Sequence, residues 1–262
     1  MKAKALFLGT GASTGIPVIG CDCSVCTSSN AKNERMRPSL FVEVNNKKLL
    51  IDVGPDFRPQ ALKYHINDID GVLLTHAHYD HIGGVDDLRI LYFMKQHPIP
   101  CLLSKECFQE VKSRYEHLFR RATKKTSLSV QFDFTLVEED AGVVEFVGIK
   151  VGYFTYMQGN TKVLGYRIGD LAYITDIKDY EESIFTNLLG VKTLIISALR
   201  EKISPVQFNF EEARALAEKA KVEKVYITHI AHETDHEKDG KKLPANMQFA
   251  FDGLKIDFLY GV

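Results

Sequence analysis

The chain has 262 residues, of which 45% are hydrophobic and 26% charged, with 33 Lys and Arg against 34 Asp and Glu. This composition excludes a disordered or low-complexity protein, and the near-zero net charge gives no global attraction to nucleic acid or to an anionic membrane. No apolar run approaches the ~20 residues that would span a bilayer.

The first half of the chain predicts strands in succession with interspersed helices. Residues 3–8 predict a buried strand that runs into a Gly-rich loop, and residues 16–38 predict an irregular segment. Residues 40–44 and 48–52 predict a strand pair around the turn residues Asn45-Asn46. Further strands are expected at 71–74 and 101–103, and helices at 57–64, 85–94 and 105–119.

The second half predicts more strands and one clear helix. Residues 128–156 alternate as successive strands do, and strands are also expected at 163–168, 172–174, 193–197, 225–228 and 254–259. Residues 210–221 predict a helix with acidic residues in its first turn. This order predicts an α+β fold with mixed sheets in a single domain, residues 1–262.

One motif combines several metal-ligand residue types. His76, His78, Asp80 and His81 lie within six residues that follow a four-residue apolar strand. Imidazole and carboxylate are good ligands for zinc, manganese or iron. His76 and His78 share one side of an extended stretch, so one metal could take both, and Asp80 and His81 could serve a second metal.

Two later strands end in the same way. Asp176 follows an apolar strand and a Thr, and so does His229. An isolated Asp after a strand is more often a cap or a turn residue. The repetition nevertheless favours one convergent site.

Three cysteines form a second cluster. Cys21, Cys23 and Cys26 lie within the irregular segment, and His232 follows His229 closely enough for one strand end to serve both clusters. A Cys₃His tetrahedron is typical of structural zinc, although unliganded thiols or a redox motif are alternatives. We therefore expect a zinc-stapled insertion over 16–38. The odd number of cysteines, 5, with no signal-peptide pattern at the start of the chain predicts a cytoplasmic protein with reduced thiols.

Residues 75–81, with Gly9-Thr10-Gly11, Asp52-Val53-Gly54, Asp176 and His229 in the same order, resemble the metallo-β-lactamase-fold hydrolases. The resemblance implies a four-layer αββα sandwich with one or two catalytic zinc or manganese ions at the edge of its sheets. It also implies a ligand set: His76 and His78 for metal one, Asp80, His81 and His229 for metal two, and Asp176 between them.

The Cys cluster, with residues 54–58 and 163–168, narrows the resemblance to the phosphoribosyl 1,2-cyclic phosphodiesterase (PhnP-like) group. It implies a phosphodiesterase that opens a small cyclic phosphate or a nucleotide-like phosphodiester through a metal-bound hydroxide. Asp80 and Asp176 would then hold the metals and orient the attacking water. Tyr79, inside the motif, would line the substrate pocket.

Two positions depart from the pattern of the group. Gln158 replaces a His that supplies the last protein ligand of metal one, so metal one is expected to be weak, absent or held through the amide. Ser204 and Gln207 replace a His-x-x-His stretch with the proposed proton donor, and neither titrates near neutral pH. Both would contact substrate instead. His236 is a less favoured substitute for the missing proton donor.

These departures leave two alternatives open. One is a weakly catalytic or non-catalytic metal-binding relative that takes a small anionic ligand. The other is a thioester or lactone hydrolase on the same scaffold. The basic run Arg114, Arg120, Arg121, Lys124, Lys125 makes nucleic acid an unfavoured but open partner, no membrane partner is expected, and a homodimer stays open.

Overall fold

The structure is a computed structural model that describes residues 1–119 and 129–261. Its strands are β1 (Lys2–Gly9), β2 (Ser39–Val44), β3 (Lys47–Ile51), β4 (Gly71–Leu73), β5 (Ile99–Ser104), β6 (Phe132–Val137), β7 (Ala141–Phe146), β8 (Ile149–Gln158), β9 (Thr161–Ile168), β10 (Leu171–Ile174), β11 (Thr193–Ser197), β12 (Lys224–Thr228), β13 (Met247–Phe249) and β14 (Lys255–Leu259). Its α-helices are α1 (Phe57–Tyr64), α2 (Tyr79–Ile82), α3 (Arg89–Lys95), α4 (Lys105–Arg114), α5 (Glu116–Phe119), α6 (Ile184–Asn187), α7 (Phe210–Lys219) and α8 (His236–Gly240).

The strands form two seven-stranded mixed sheets, in the orders β14-β1-β2-β3-β4-β5-β6 and β13-β12-β11-β10-β9-β8-β7. Each sheet has an antiparallel part and a parallel part. In the first sheet the parallel strands are β3 to β6, and in the second they are β10 to β13. Among the described residues, no helix has the length and apolar character that crossing a bilayer requires.

The alternation of side chains in the strands builds three apolar layers. In β1, Phe7 joins the core between the two sheets, whereas its neighbour Leu8 joins the outer layer beneath the helices. Successive side chains of a strand point to opposite faces, so each sheet is apolar on both. Phe57 of α1 and Val111 of α4 cover the first sheet, and Leu216 of α7 covers the second. The predicted αββα sandwich is confirmed.

The predicted helix over 105–119 is divided in two. Tyr115 has φ −118° and ψ 45°, which end α4, although its N–H still donates to the Val111 carbonyl. Its hydroxyl donates to the carbonyl of Ile82 at 2.9 Å. This tertiary contact fixes the ring at the break. The predicted helix over 85–94 begins as a 3₁₀ turn, Val85–Leu88, before α3.

Four short elements, α2, α6, α8 and β13, have no counterpart in the sequence prediction. Each has five residues or fewer, so none holds a full period of apolar side chains. The segment over residues 16–38 is irregular as predicted, with one 3₁₀ turn at Ala31–Asn33 and one bridge between Ile16 and Arg35.

Candidate metal centre

The predicted ligands lie where buried strands of both sheets end. In the first sheet, β3 ends before Asp52 and β4 ends shortly before His76. In the second sheet, β10 ends shortly before Asp176, and β12 ends before His229. The two strands of each sheet run parallel, so their carboxyl ends lie on one edge of that sheet. Contacts between side chains of the two sheets, given below, bring these two edges together.

Three of these residues have a left-handed backbone. The φ angle is 61° at Asp52, 56° at Asp176 and 57° at His229. This conformation is uncommon for residues other than Gly and concentrates at functional sites. The side chains of these three residues are placed at a cost in backbone strain.

The motif after β4 buries its polar side chains. His76, Asp80 and His81 have exposed fractions of 1%, 6% and 0%. The chain passes from β4 through His78 into the one-turn helix α2, which brings Asp80 and His81 to face the second sheet's strand ends. Gly54 is required against this turn, because a Cβ there would lie 2.2 Å from the Asp80 carbonyl oxygen.

Two carboxylates and two imidazoles converge at one point. The Asp80 Oδ2 lies 3.2 Å from the His229 Nε2 and 3.4 Å from the His81 Nε2. Asp176 lies 2.9 Å from the His81 Nε2 through Oδ2, and 3.4 Å from the His229 Nε2 through Oδ1. The ligand atoms of Asp80, His81 and His229 all lie within 4.8 Å of one another, and so do those of His76, His81 and Asp176.

These spacings fit a metal ion. Two oxygen or nitrogen ligands that are 2.0–2.1 Å from one zinc ion, at a tetrahedral angle, lie about 3.3 Å apart. Three of the four contacts, at 3.2, 3.4 and 3.4 Å, have that spacing. The donor set of imidazole and carboxylate also suits zinc or manganese.

His76 and His78 lie on the other side of the cluster. Their ring centroids are 4.5 Å apart. The His76 Nδ1 is 2.9 Å from the Thr75 hydroxyl, and its buried Nε2 has no hydrogen-bond partner, as a ligand atom requires. The His78 Nε2 lies 3.5 Å from the Thr161 hydroxyl and joins neither of the two ligand groups formed by the described residues.

The cluster keeps its carboxylates charged. Burial alone would raise the pKa values of Asp80 and Asp176, but the charges of His81 and His229 outweigh it and lower both pKa values. Burial opposes a charge on His81, yet the surrounding aspartates raise its pKa well above the ordinary value. Burial lowers the pKa of His76 and so favours the neutral form, which is the form that binds a metal.

Asp52 supports the cluster from behind, a role that the sequence prediction did not include. Its Oδ2 lies 2.7 Å from the His81 Nδ1, and its Oδ1 accepts from the backbone N–H of Thr75 at 2.9 Å. A carboxylate behind a metal-binding imidazole fixes the tautomer and the ring orientation. The pattern of an acid after a buried strand, which singled out Asp176, could have found Asp52 as well.

Gln158 and Gln207 both contact Asp176. The Gln158 Nε2 donates to Asp176 Oδ1 at 2.9 Å, and the Gln207 Nε2 donates to the same oxygen. The buried Oε1 atoms of both glutamines have no hydrogen-bond partner. Ser204 is also buried, and its hydroxyl accepts from the N–H of Val206 at 3.3 Å. Tyr79 is 66% exposed beside the motif.

The cysteine cluster closes around His232. The His232 Nδ1 lies 3.4, 3.5 and 3.6 Å from the sulfur atoms of Cys21, Cys23 and Cys26. Zn–S and Zn–N bonds of about 2.3 and 2.0 Å at a tetrahedral angle place sulfur and nitrogen about 3.5 Å apart. Hydrogen bonds from the Cys26 backbone and from His232 lower the pKa of Cys23 to about 6, which favours the thiolate. The four side chains fit a structural zinc.

His236 lies away from the centre. Its Nδ1 is 3.0 Å from the Arg35 guanidinium, and its ring packs against Phe249 and Phe251. Burial, with the charges of Arg35 and Lys32, lowers its pKa to about 4. The His236 ring is therefore held by Arg35 and two aromatic rings, and no hydrogen bond among the described residues joins it to the ligands of the centre.

Arg114, from the basic run, donates to the Ala77 carbonyl and to Glu110, so it supports the motif loop. The other members of the run, at positions 120, 121, 124 and 125, lie outside the described residues.

The four layers and the His/Asp cluster at the strand ends define the metallo-β-lactamase fold. Residues 47–230 match the family model described as the beta-lactamase superfamily domain, and the chain belongs to that superfamily. Within it the chain is PhnP-like. A crystal structure described as a new diphosphatase from the PhnP family is 36% identical, covers 98% of both chains and superposes with a TM-score of 0.89.

Other relatives differ in activity and length. The octanoyltransferase of Porphyromonas gingivalis is 32% identical over 96% of this chain and 51% of its own length. The exodeoxyribonuclease WalJ of Streptococcus pneumoniae is 29% identical over 49% of each chain. The chain thus spans about half the length of these curated relatives. Zn²⁺-bound PqqB from Methylobacterium extorquens shares the fold at 20% identity, with 97% and 100% of the two chains covered and a TM-score of 0.76.

Proposed function

We propose that the protein is a metal-dependent phosphohydrolase that cleaves a phosphodiester or diphosphate bond in a small molecule. The observation that carries the proposal is the set of contacts at metal-ligand spacing among Asp80, His81, His229 and Asp176. The similarity to a PhnP-family diphosphatase over nearly all of both chains favours phosphorus as the atom attacked. A small cyclic phosphate, which the sequence predicted, belongs to this substrate class.

The residues of the centre have separate roles in this proposal. Asp80, His81, His229, Asp176 and His76 would hold metal, which when bound lowers the pKa of a coordinated water and offsets the charge of a phosphate. Asp52 holds His81 through Nδ1, so that Nε2 faces the centre. Asp176 is fixed by two amides at Oδ1, so that its Oδ2 faces His81 and the centre.

The test is hydrolysis by protein reconstituted with zinc or with manganese. Bis(p-nitrophenyl) phosphate, a ribose cyclic phosphate and a dinucleotide diphosphate serve as substrates, and release of product is measured. We expect turnover of at least one, and loss of at least 100-fold in His229→Ala. His97→Ala is the matched control, because His97 is exposed and its ring nitrogen lies beside the carbonyl of its own neighbour, Pro98. No turnover of any substrate with either metal would refute the proposal.

Thioester hydrolysis is the second candidate. The observation that favours it is the similarity to the Porphyromonas gingivalis octanoyltransferase, whose name states transfer of an octanoyl group. The same assay with an octanoyl thioester and a thiol-reactive dye decides between the two. Thioester turnover without phosphate turnover would replace the first proposal, and turnover of neither would leave the predicted non-catalytic binder of a small anion.

We also propose that Cys21, Cys23, Cys26 and His232 bind one structural zinc. The sulfur–nitrogen distances of 3.4–3.6 Å support it. The reduced thiols that such a site needs agree with the predicted cytoplasmic location, which stays a prediction, as does the homodimer.

A further inference from the structure

The amide pair on Asp176 is the feature that the proposed function does not use. Asp176 is buried, and its Oδ1 accepts hydrogen bonds from the Nε2 atoms of both Gln158 and Gln207. Gln158 and Gln207 must therefore present their NH₂ groups to Oδ1, with their oxygen atoms turned away. Neither amide oxygen therefore points at Asp176, the carboxylate that would lie between two metal ions.

The acceptor capacity of Oδ1 limits what else it can bind. A carboxylate oxygen has about two lone-pair sites, and the two amide N–H groups already point at Oδ1. The other oxygen, Oδ2, accepts from the Thr175 hydroxyl at 2.9 Å and faces His81 at 2.9 Å. Asp176 can serve one ion while it keeps these contacts, but it cannot bridge two.

The two sides of the cluster also differ in how strongly they can bind a metal ion. On the Asp80 side, one carboxylate and two imidazoles stand at the spacing of ligands around one ion. On the His78 side, the ring of His78 is half-buried and pairs with a hydroxyl instead of with a carboxylate. Besides Asp176, whose Oδ1 accepts from the two amides, the second side offers only the neutral imidazoles of His76 and His78, which bind a divalent ion more weakly.

We infer that this catalytic centre takes one metal ion, at Asp80, His81, His229 and Asp176, and that Gln158 and Gln207 hold Asp176 where a second ion would otherwise do so. The two glutamines are positioning residues. The inference rests on the proposed function only in that this centre binds metal, and it predicts the metal count whatever the substrate.

The test is the zinc content of the full chain, by elemental analysis after equilibration at buffered free zinc. We expect two zinc ions per chain, one in the cysteine cluster and one in the centre. Asp80→Asn should retain one, and His78→Ala should retain two. Gln158→His supplies a third imidazole beside His76 and His78, and it should raise the count to three.

A wild-type count of three that falls to two in His78→Ala would overturn the inference, and so would a wild-type count of one. A count of two in Gln158→His would overturn the role given to that glutamine. If Asp80→Asn does not fold, calorimetric titration of chelator-stripped wild type replaces it, and two binding steps beyond the cysteine site would refute the inference. Since no substrate is used, an inactive protein with two zinc ions contradicts the proposed function alone.

Discussion

Replacement of Asp52 by Asn tests whether a residue that touches no substrate controls the metal centre. The Asp52 carboxylate accepts from the Thr75 N–H at 2.9 Å and faces the His81 Nδ1 at 2.7 Å. An Asn has one acceptor oxygen. If this oxygen stays on Thr75, its NH₂ faces His81 Nδ1, and the imidazole must carry its proton on Nε2, the atom that faces the centre. If the amide turns over, the NH₂ meets the Thr75 N–H.

Either outcome lowers the affinity for metal. Loss of a partner behind a metal-binding His costs roughly 10–100-fold in affinity, and the wrong tautomer places Asp52→Asn at the upper end. A 100-fold loss corresponds to about 2.8 kcal/mol. This agrees with the roughly 1.5–3 kcal/mol of a hydrogen bond to a charged group.

The assay is zinc affinity by competition with a chromophoric chelator, with the cysteine cluster as an internal reference in the same molecule. The zinc affinity of the cysteine cluster should be unchanged. Half-occupancy of the centre in Asp52→Asn should require about 100-fold higher free zinc than in the wild type. Asp70→Asn is the matched control, because Asp70 also accepts from a backbone N–H, that of Lys48 at 2.9 Å. An affinity of Asp52→Asn within twofold of wild type would show that Asp52 does not set the tautomer.

Three further predictions concern the cysteine cluster, the pH dependence of folding stability and the hydrophobic core. Cys26→Ser should remove one zinc ion per chain and lower the melting temperature, whereas Cys107→Ala, a buried thiol outside the cluster, should keep the zinc. The folded-state pKa of His236, about 4, lies below its ordinary value, so its contribution to stability is present above pH ~6.5 and is lost as pH falls toward 4. Since the ring is only half-buried, we expect ~1–2 kcal/mol, and urea unfolding of His236→Asn should show a flatter pH profile over that window. Ile195→Ala, between the sheets at 0% exposure, should cost about 2–5 kcal/mol, while Val143→Ala at 72% exposure should cost under ~0.5, and equal unfolding midpoints would contradict the assigned core.

The strand ends of the site could be predicted because their signal is local. Each buried strand is a short apolar run followed by a Thr and then by a residue of ligand type, so the positions of His76, Asp176 and His229 follow from the pattern. The pattern alone predicts only an α+β fold with mixed sheets, and the four-layer arrangement was predicted from the family resemblance. Two parallel strand groups that end on one edge bring these residues together.

The contacts of Gln158 and Gln207 with Asp176 could not be predicted, because they join segments that are distant in the sequence. Gln158 lies 18 residues before Asp176 in the chain, and Gln207 lies 31 residues after it. The sequence showed only that an imidazole was replaced at each position. That both amides reach the same carboxylate oxygen depends on how the end of β8 and the loop before α7 pack, which no periodicity encodes.

The strained positions show how the fold serves the site. Left-handed backbone at Asp52, Asp176 and His229 costs about 1 kcal/mol each at the low end, or about 3 in total, against a net stability of about 5–15 for a typical domain. Contacts on both sides of each position must therefore enforce it. The Asp52 N–H donates to the Leu73 carbonyl at 2.9 Å, and the N–H of Ile230, next to His229, donates to the Thr10 carbonyl at 2.9 Å. Glycine would relieve the strain at all three positions but would remove the side chain, so what keeps these residues is the chemistry of the centre, not the stability of the fold.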